Sequence, residues 1–183
     1  MTESRKDPQH NSSPIHRYFA GLTEATFQAQ LGVADSAMVD YVSDLLVRFV
    51  RSDVVHRIRG VNGRPLMSIT EMTVEATKRM GDARRELHRH IGDFTLFWAG
   101  VFPEALRHGC TERDDQFESY CSYGKLSYRL AGSIEPADET APESEILLRL
   151  SERFELCAYG LREIRREWEE GGDRDFGGMI LLN

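Results

Sequence analysis

Residues 84–106, RRELHRHIGDFTLFWAGVFPEAL, decide the fold. Leu87, Ile91, Phe94, Trp98 and Val101 recur at i, i+4, i+7, i+11 and i+14, the period of one helical face. Leu96 and Phe97 fill the flanks. A helix that is apolar nearly all round is buried nearly all round, so this segment is predicted to be the central helix. Pro103 should end it within a turn, because proline disfavours helical geometry in the residue before it.

Upstream, Pro14 opens a first helix with Ile15, Phe19, Leu22 and Thr26 at helical spacing, and Gly32 closes it. Asp35 caps a second helix, whose apolar face runs from Met38 through Tyr41, Val42, Leu45, Leu46 and Phe49 to Val50. Residues 54–67, VVHRIRGVNGRPLM, hold β-branched residues and Asn62-Gly63, which favours a tight turn, so a short hairpin is expected there. Ser68 and Glu71 match a capping box and open a third helix, with a break at Gly81-Asp82 before the central one.

Downstream, residues 114–133 form a further helix with Phe117, Tyr120, Cys121, Gly124, Ser127, Tyr128 and Ala131 on its inner face. The glycine and serine there allow a neighbouring backbone to come close. An acidic, proline-bearing loop follows. The last helix carries Leu147, Leu150, Phe154, Cys157, Leu161, Ile164 and Trp168 at alternating four and three spacing, a heptad seam. The fold class is therefore all-α: a single-domain bundle of about five or six helices, mostly antiparallel, around a buried central helix. Residues 1–13 have no apolar periodicity and read as a disordered tail, leaving 14–183 as one helical domain.

Composition narrows function. The chain has 23 Lys and Arg against 30 Asp and Glu, a net charge of −7, which gives no general attraction to nucleic acid. Its longest apolar run is about half of the ~20 residues that a membrane span needs. Cys110, Cys121 and Cys157 form no metal-type spacing, and the polar N-terminus lacks a signal-peptide core, so a cytoplasmic location is expected.

The candidate metal site is Glu86, His90 and Asp93, at i, i+4 and i+7 on one helical face. Iron, manganese or zinc would suit these donors, although helical di-metal proteins use Glu-x-x-His in pairs and here the order is reversed and single. The competing reading is that His90 and Asp93 are satisfied internally, with no cofactor. The basic string Arg84, Arg85, His88 and Arg89 offers a place for a small anion, or partners for Glu86 and Asp93. Tyr120, Tyr123, Lys125, Ser127 and Tyr128 lack the Tyr-x-x-x-Lys spacing of a reductase. Cys110, two residues after His108, is a candidate loop thiol.

Two stretches, HIGDFTLFWAGVFPEAL and YCSYGKLSYRLAG, carry Gly92, Asp93, Leu96, Phe97, Gly100, Phe102 and Leu106, then Tyr120, Gly124, Ser127 and Tyr128. This pattern, GDxxLFxxGxF followed by YxxxGxxSY, resembles an uncharacterised all-helical family of hypothetical bacterial proteins. The resemblance implies a helical fold and a bacterial cytoplasmic setting, and no activity. The leading functional expectation is a non-enzymatic helical binding or scaffold protein. Its homodimer or protein contact would use the 147–168 helix or the apolar C-terminal tail. The alternative is a metal-dependent, oxidoreductase-like bundle enzyme using Glu86, His90 and Asp93. A small-molecule sensor would need a pocket among Phe94, Trp98, Tyr120 and Tyr128.

Overall fold

The computed structural model describes residues 14–50, 59, 63–64, 66, 68–107, 116–137 and 142–170. Among the described residues there are eight α-helices and no strand. They are α1 (Pro14–Glu24), α2 (Ser36–Val50), α3 (Ile69–Thr77), α4 (Gly81–Val101), α5 (Pro103–Arg107), α6 (Gln116–Gly132), α7 (Ser144–Glu152) and α8 (Phe154–Glu170). The tail 1–13, most of the expected hairpin at 54–67, Cys110 and the C-terminal tail lie outside the described residues.

Local chemistry sets most helix ends. Asp35 Oδ1 accepts the Met38 amide at 3.1 Å and so starts α2. Ser68 and Glu71 close a reciprocal capping box on α3. Gly32, at φ +65°, ends the first helical run, and Gly81, at φ +54°, separates α3 from α4.

The expected count of five or six helices is too low, for two local reasons. Pro103 does not merely stop α4. Phe102 leaves the helical region at φ −128°, ψ 52°, and Pro103 then starts the short α5. The long terminal helix is also interrupted. Arg153 sits at φ −109°, ψ 25°, its amide bonds back to Arg149 O at 2.9 Å, and α8 begins at the next residue.

The first helix keeps its expected stripe, with Phe19 and Thr26 buried and Ile15 and Leu22 packed against the core, but its second part is not an α-helix. After Glu24 the chain runs on as a π-helix, Ala25–Gln30, in which the Leu31 amide reaches back five residues to Thr26 O at 3.1 Å. The wider turn rotates the inward face. Phe27 is fully buried, and the flanking Ala25 and Ala29 are exposed.

Helix α4 lies at the centre of the core, as its composition demands. Ile91, Leu96 and Ala99 have no exposed surface, and α4 makes its most extensive contact with α6. Glycine makes that closeness possible. A Cβ at Gly92 would lie 2.6 Å from Tyr128 Cδ1, and one at Gly124 would lie 2.5 Å from Thr95 Oγ1. The heptad seam is consumed in the same core. Leu147, Leu150, Phe154, Cys157 and Leu161 are all fully buried within the chain. A partner contact through 147–168 would therefore have to use the outer face of α7 and α8 rather than this seam.

Candidate functional site

Asp93 stands midway along α4 and is 3 % exposed. A carboxylate so buried needs hydrogen bonds and opposite charge, and three helices supply them. Tyr41 of α2 donates its hydroxyl to Oδ1 at 2.6 Å, and Tyr128 of α6 donates to the same oxygen at 2.8 Å. Arg48 of α2 donates to Oδ2 at 3.1 Å, and Arg89, one turn before Asp93 on α4, lies 3.9 Å from it. The Arg48 guanidinium also packs over the Tyr41 ring, 5.3 Å from its centroid.

The spacing of α2 explains these partners. Tyr41 and Arg48 are seven residues apart, two turns on one face, so one helix offers both a hydroxyl and a guanidinium. Gly92 lets the Tyr128 ring lie flat against α4 and carry its hydroxyl to Asp93. Both tyrosines keep their protons far above the ordinary phenol range, first because they are buried and then because Asp93 repels a phenolate. Burial works against the charge on Arg48 and Arg89, but attraction to Asp93 and its neighbours more than offsets it, and both are held above the usual guanidinium value. Two guanidiniums, Arg48 and Arg89, thus face the carboxyl groups of Asp93 and Glu86.

The sequence-predicted site residues share one helical face but not one site. Glu86 is half-exposed and accepts Arg89 Nη2 at 2.5 Å. His90 stacks on Phe49, ring centroids 6.2 Å apart and planes at 22°. Asp93 points to the tyrosines and Arg48. Among the described residues no group of three or more His, Cys, Asp and Glu side chains is placed to share a metal ion. The donor chemistry agrees with that geometry. Each carboxylate already faces a guanidinium, so a divalent cation would meet arginines.

Of the tyrosine group on α6, only Tyr128 enters the cluster. Tyr120 packs beside Phe94 at 6.4 Å, Tyr123 is exposed, and Lys125 pairs with Glu155 at 2.7 Å. Cys121 and Cys157 are buried, and burial pushes the Cys157 thiol up to about 12. Tyr41 and Arg48 were missed as site residues. Their one visible signal was polar atoms two turns apart beside an apolar stripe, which a solvated face shows equally.

The arrangement ties α2, α4 and α6 together through one carboxyl group. An apolar void between Leu46, Val50, Phe97, Val101, Leu161 and Ile164 holds only about 10 Å³, roughly one water. A shallow surface groove of about 260 Å³ is lined by Cys121, Ser122, Lys125, Leu126, Arg129 and Glu155. No helix among the described residues is long and apolar enough to cross a membrane. No family model, curated protein or solved structure matches the chain, so its functional reading rests on its own geometry.

Proposed function

We propose that the protein is a non-enzymatic helical binding module of the bacterial cytoplasm, and that its partner docks on the outer face of α6. One observation carries this reading. Tyr123 and Leu126 are 43 % and 51 % exposed on consecutive turns, beside a groove whose rim carries Lys125 and Arg129. Leu148 of α7 is also exposed and reaches α6 at Gly132. Lys125 is neutralised by Glu155, whereas Arg129 has no carboxylate partner among the described residues. Apolar side chains next to an uncompensated cation suit a segment of another protein that carries apolar and acidic residues together.

The test is a photo-crosslinking amino acid at position 126, with the exposed position 40 on α2 as control. The expected result is one adduct of defined mass from position 126 alone. A peptide of the captured segment should bear acidic and apolar residues and bind at least tenfold more weakly to Leu126→Glu. Identical adducts from both positions, or a peptide indifferent to Leu126→Glu, would overturn the reading.

A further inference from the structure

Where α4 begins, α6 ends and α7 begins, several polar groups lack hydrogen-bond partners among the described residues. Arg85 is 1 % exposed. Its Nε donates to Ile134 O at 2.9 Å and its Nη2 to Pro142 O at 2.5 Å, while Nη1 makes no hydrogen bond. Glu86 Oε1 lies 3.6 Å from Nη1, but that side chain is 45 % exposed and both its oxygens accept from Arg89. The contrast with Arg48 is plain. Arg48 has an internal carboxylate, whereas the more deeply buried Arg85 has two carbonyls and a shared surface anion. A guanidinium taken out of water needs better compensation than that.

The neighbouring groups are short in the same way. Ser144 stands two residues beyond Pro142 and opens α7; its hydroxyl is buried without a partner. The residue before it, Glu143, gives no side-chain cap to the first turn of this nine-residue helix. The end of α6 packs directly on that turn, since a Cβ at Gly132 would lie 3.0 Å from Ser144 O. His88, one turn beyond Arg85 on the same face of α4, is 4 % exposed, and neither ring nitrogen has a hydrogen-bond partner among the described residues.

Guanidinium, hydroxyl and helix amides are all donors. The missing element is one compact, negatively charged group with several lone pairs. We propose that this junction binds a free inorganic oxyanion of the phosphate or sulfate class, through Arg85, Ser144 and the first turn of α7, with His88 at its edge. A tetrahedral anion offers acceptors in several directions at once, and a helix N-terminus favours negative charge. The burial of Arg85 and His88 argues for a bare ion over a bulky ester.

The experiment is titration calorimetry of the full chain with inorganic phosphate, against chloride at matched ionic strength. Saturable one-to-one binding is expected. It should weaken at least tenfold in Arg85→Lys, which keeps the charge and loses the fork, and severalfold in Ser144→Ala. The His88 ring resonances should shift on phosphate addition. Absence of saturable binding, or an affinity unchanged in both variants, would overturn the proposal. If Arg85→Lys fails to fold, Ser144→Ala decides alone, because it removes one atom from a partly exposed residue.

Discussion

Replacing Asp93 by asparagine keeps the shape of the central group and removes its charge. Oδ1 can still accept from Tyr41 and Tyr128, which approach at 2.6 and 2.8 Å. Both bonds change from charge-assisted to neutral, a loss of ~1 kcal/mol each. The new amide Nδ2 stands where Oδ2 met Arg48 Nη2 at 3.1 Å, so two donors face each other. The Arg48 side chain is 32 % exposed and can turn to water, which limits that penalty to ~1 kcal/mol. The sum is roughly 3 kcal/mol, a large share of the ~5–15 kcal/mol that holds a typical domain together. Urea unfolding followed by circular dichroism should show the midpoint falling by ~1–2 M with the slope unchanged. Tyr128→Phe should cost ~1.5–3 kcal/mol in the parent chain and about 1 kcal/mol less in Asp93→Asn, because the bond it removes is already weakened. A loss below ~1 kcal/mol for Asp93→Asn, or strict additivity of the two substitutions, would refute the view that this carboxylate holds three helices together.

Other substitutions probe separate contacts. Gly92→Ala should lower stability by ~1–3 kcal/mol in thermal melts, because the added methyl meets the Tyr128 ring at 2.6 Å. The Cys157 thiol, pushed up to about 12 by burial, should resist iodoacetamide at pH 8 until the chain is unfolded, as mass spectrometry of the alkylated protein would show. His88 lies below the usual imidazole value of 6.5, first through burial and then through Arg84. The unfolded chain thus takes up a proton near pH 6.5 that the folded chain refuses, so stability rises with pH through that window and is lost as pH falls below it. Denaturant midpoints from pH 7 to 5 should fall less steeply in His88→Gln than in the parent. Because the heptad seam is internal, sedimentation at high micromolar concentration should give no dimer that Leu161→Ala disrupts without unfolding the chain.

The sequence exposed the helices and their caps because those depend on nearby residues. The Asp35 cap, the Ser68–Glu71 box and the burial of Leu87, Ile91 and Leu96 follow from spacing alone. The heptad was read correctly as apolar, and its seam is covered by the chain's own helices, since periodicity says that a face is buried and not what buries it. The site was half legible. His90 and Asp93 stood out beside the aromatic run, but the partners of Asp93 are 52, 45 and 35 residues away on other helices. Tyr128 was assigned to the inner face of its helix, yet the direction of its hydroxyl depends on Gly92, a residue with no side chain to announce the contact. Arg85 and His88 looked like two members of one basic string. The turn of the helix carries them inward and leaves Arg84 in solvent.

The wide turn at Ala25–Gln30 has a consequence for the chain that precedes it. Phe19 meets Trp168 edge-on, ring centroids 5.3 Å apart, while Phe27 fills the notch left by Gly160. An unbroken α-helix at 100° per residue would set two rings eight residues apart about 80° from one another, and the wider turn narrows that angle. The surplus residue acts as a phase adjuster, letting one rod key into two separated notches of the same neighbour. Deleting a single residue between 25 and 30 would therefore do more harm than most substitutions there, because it would turn everything upstream out of mesh.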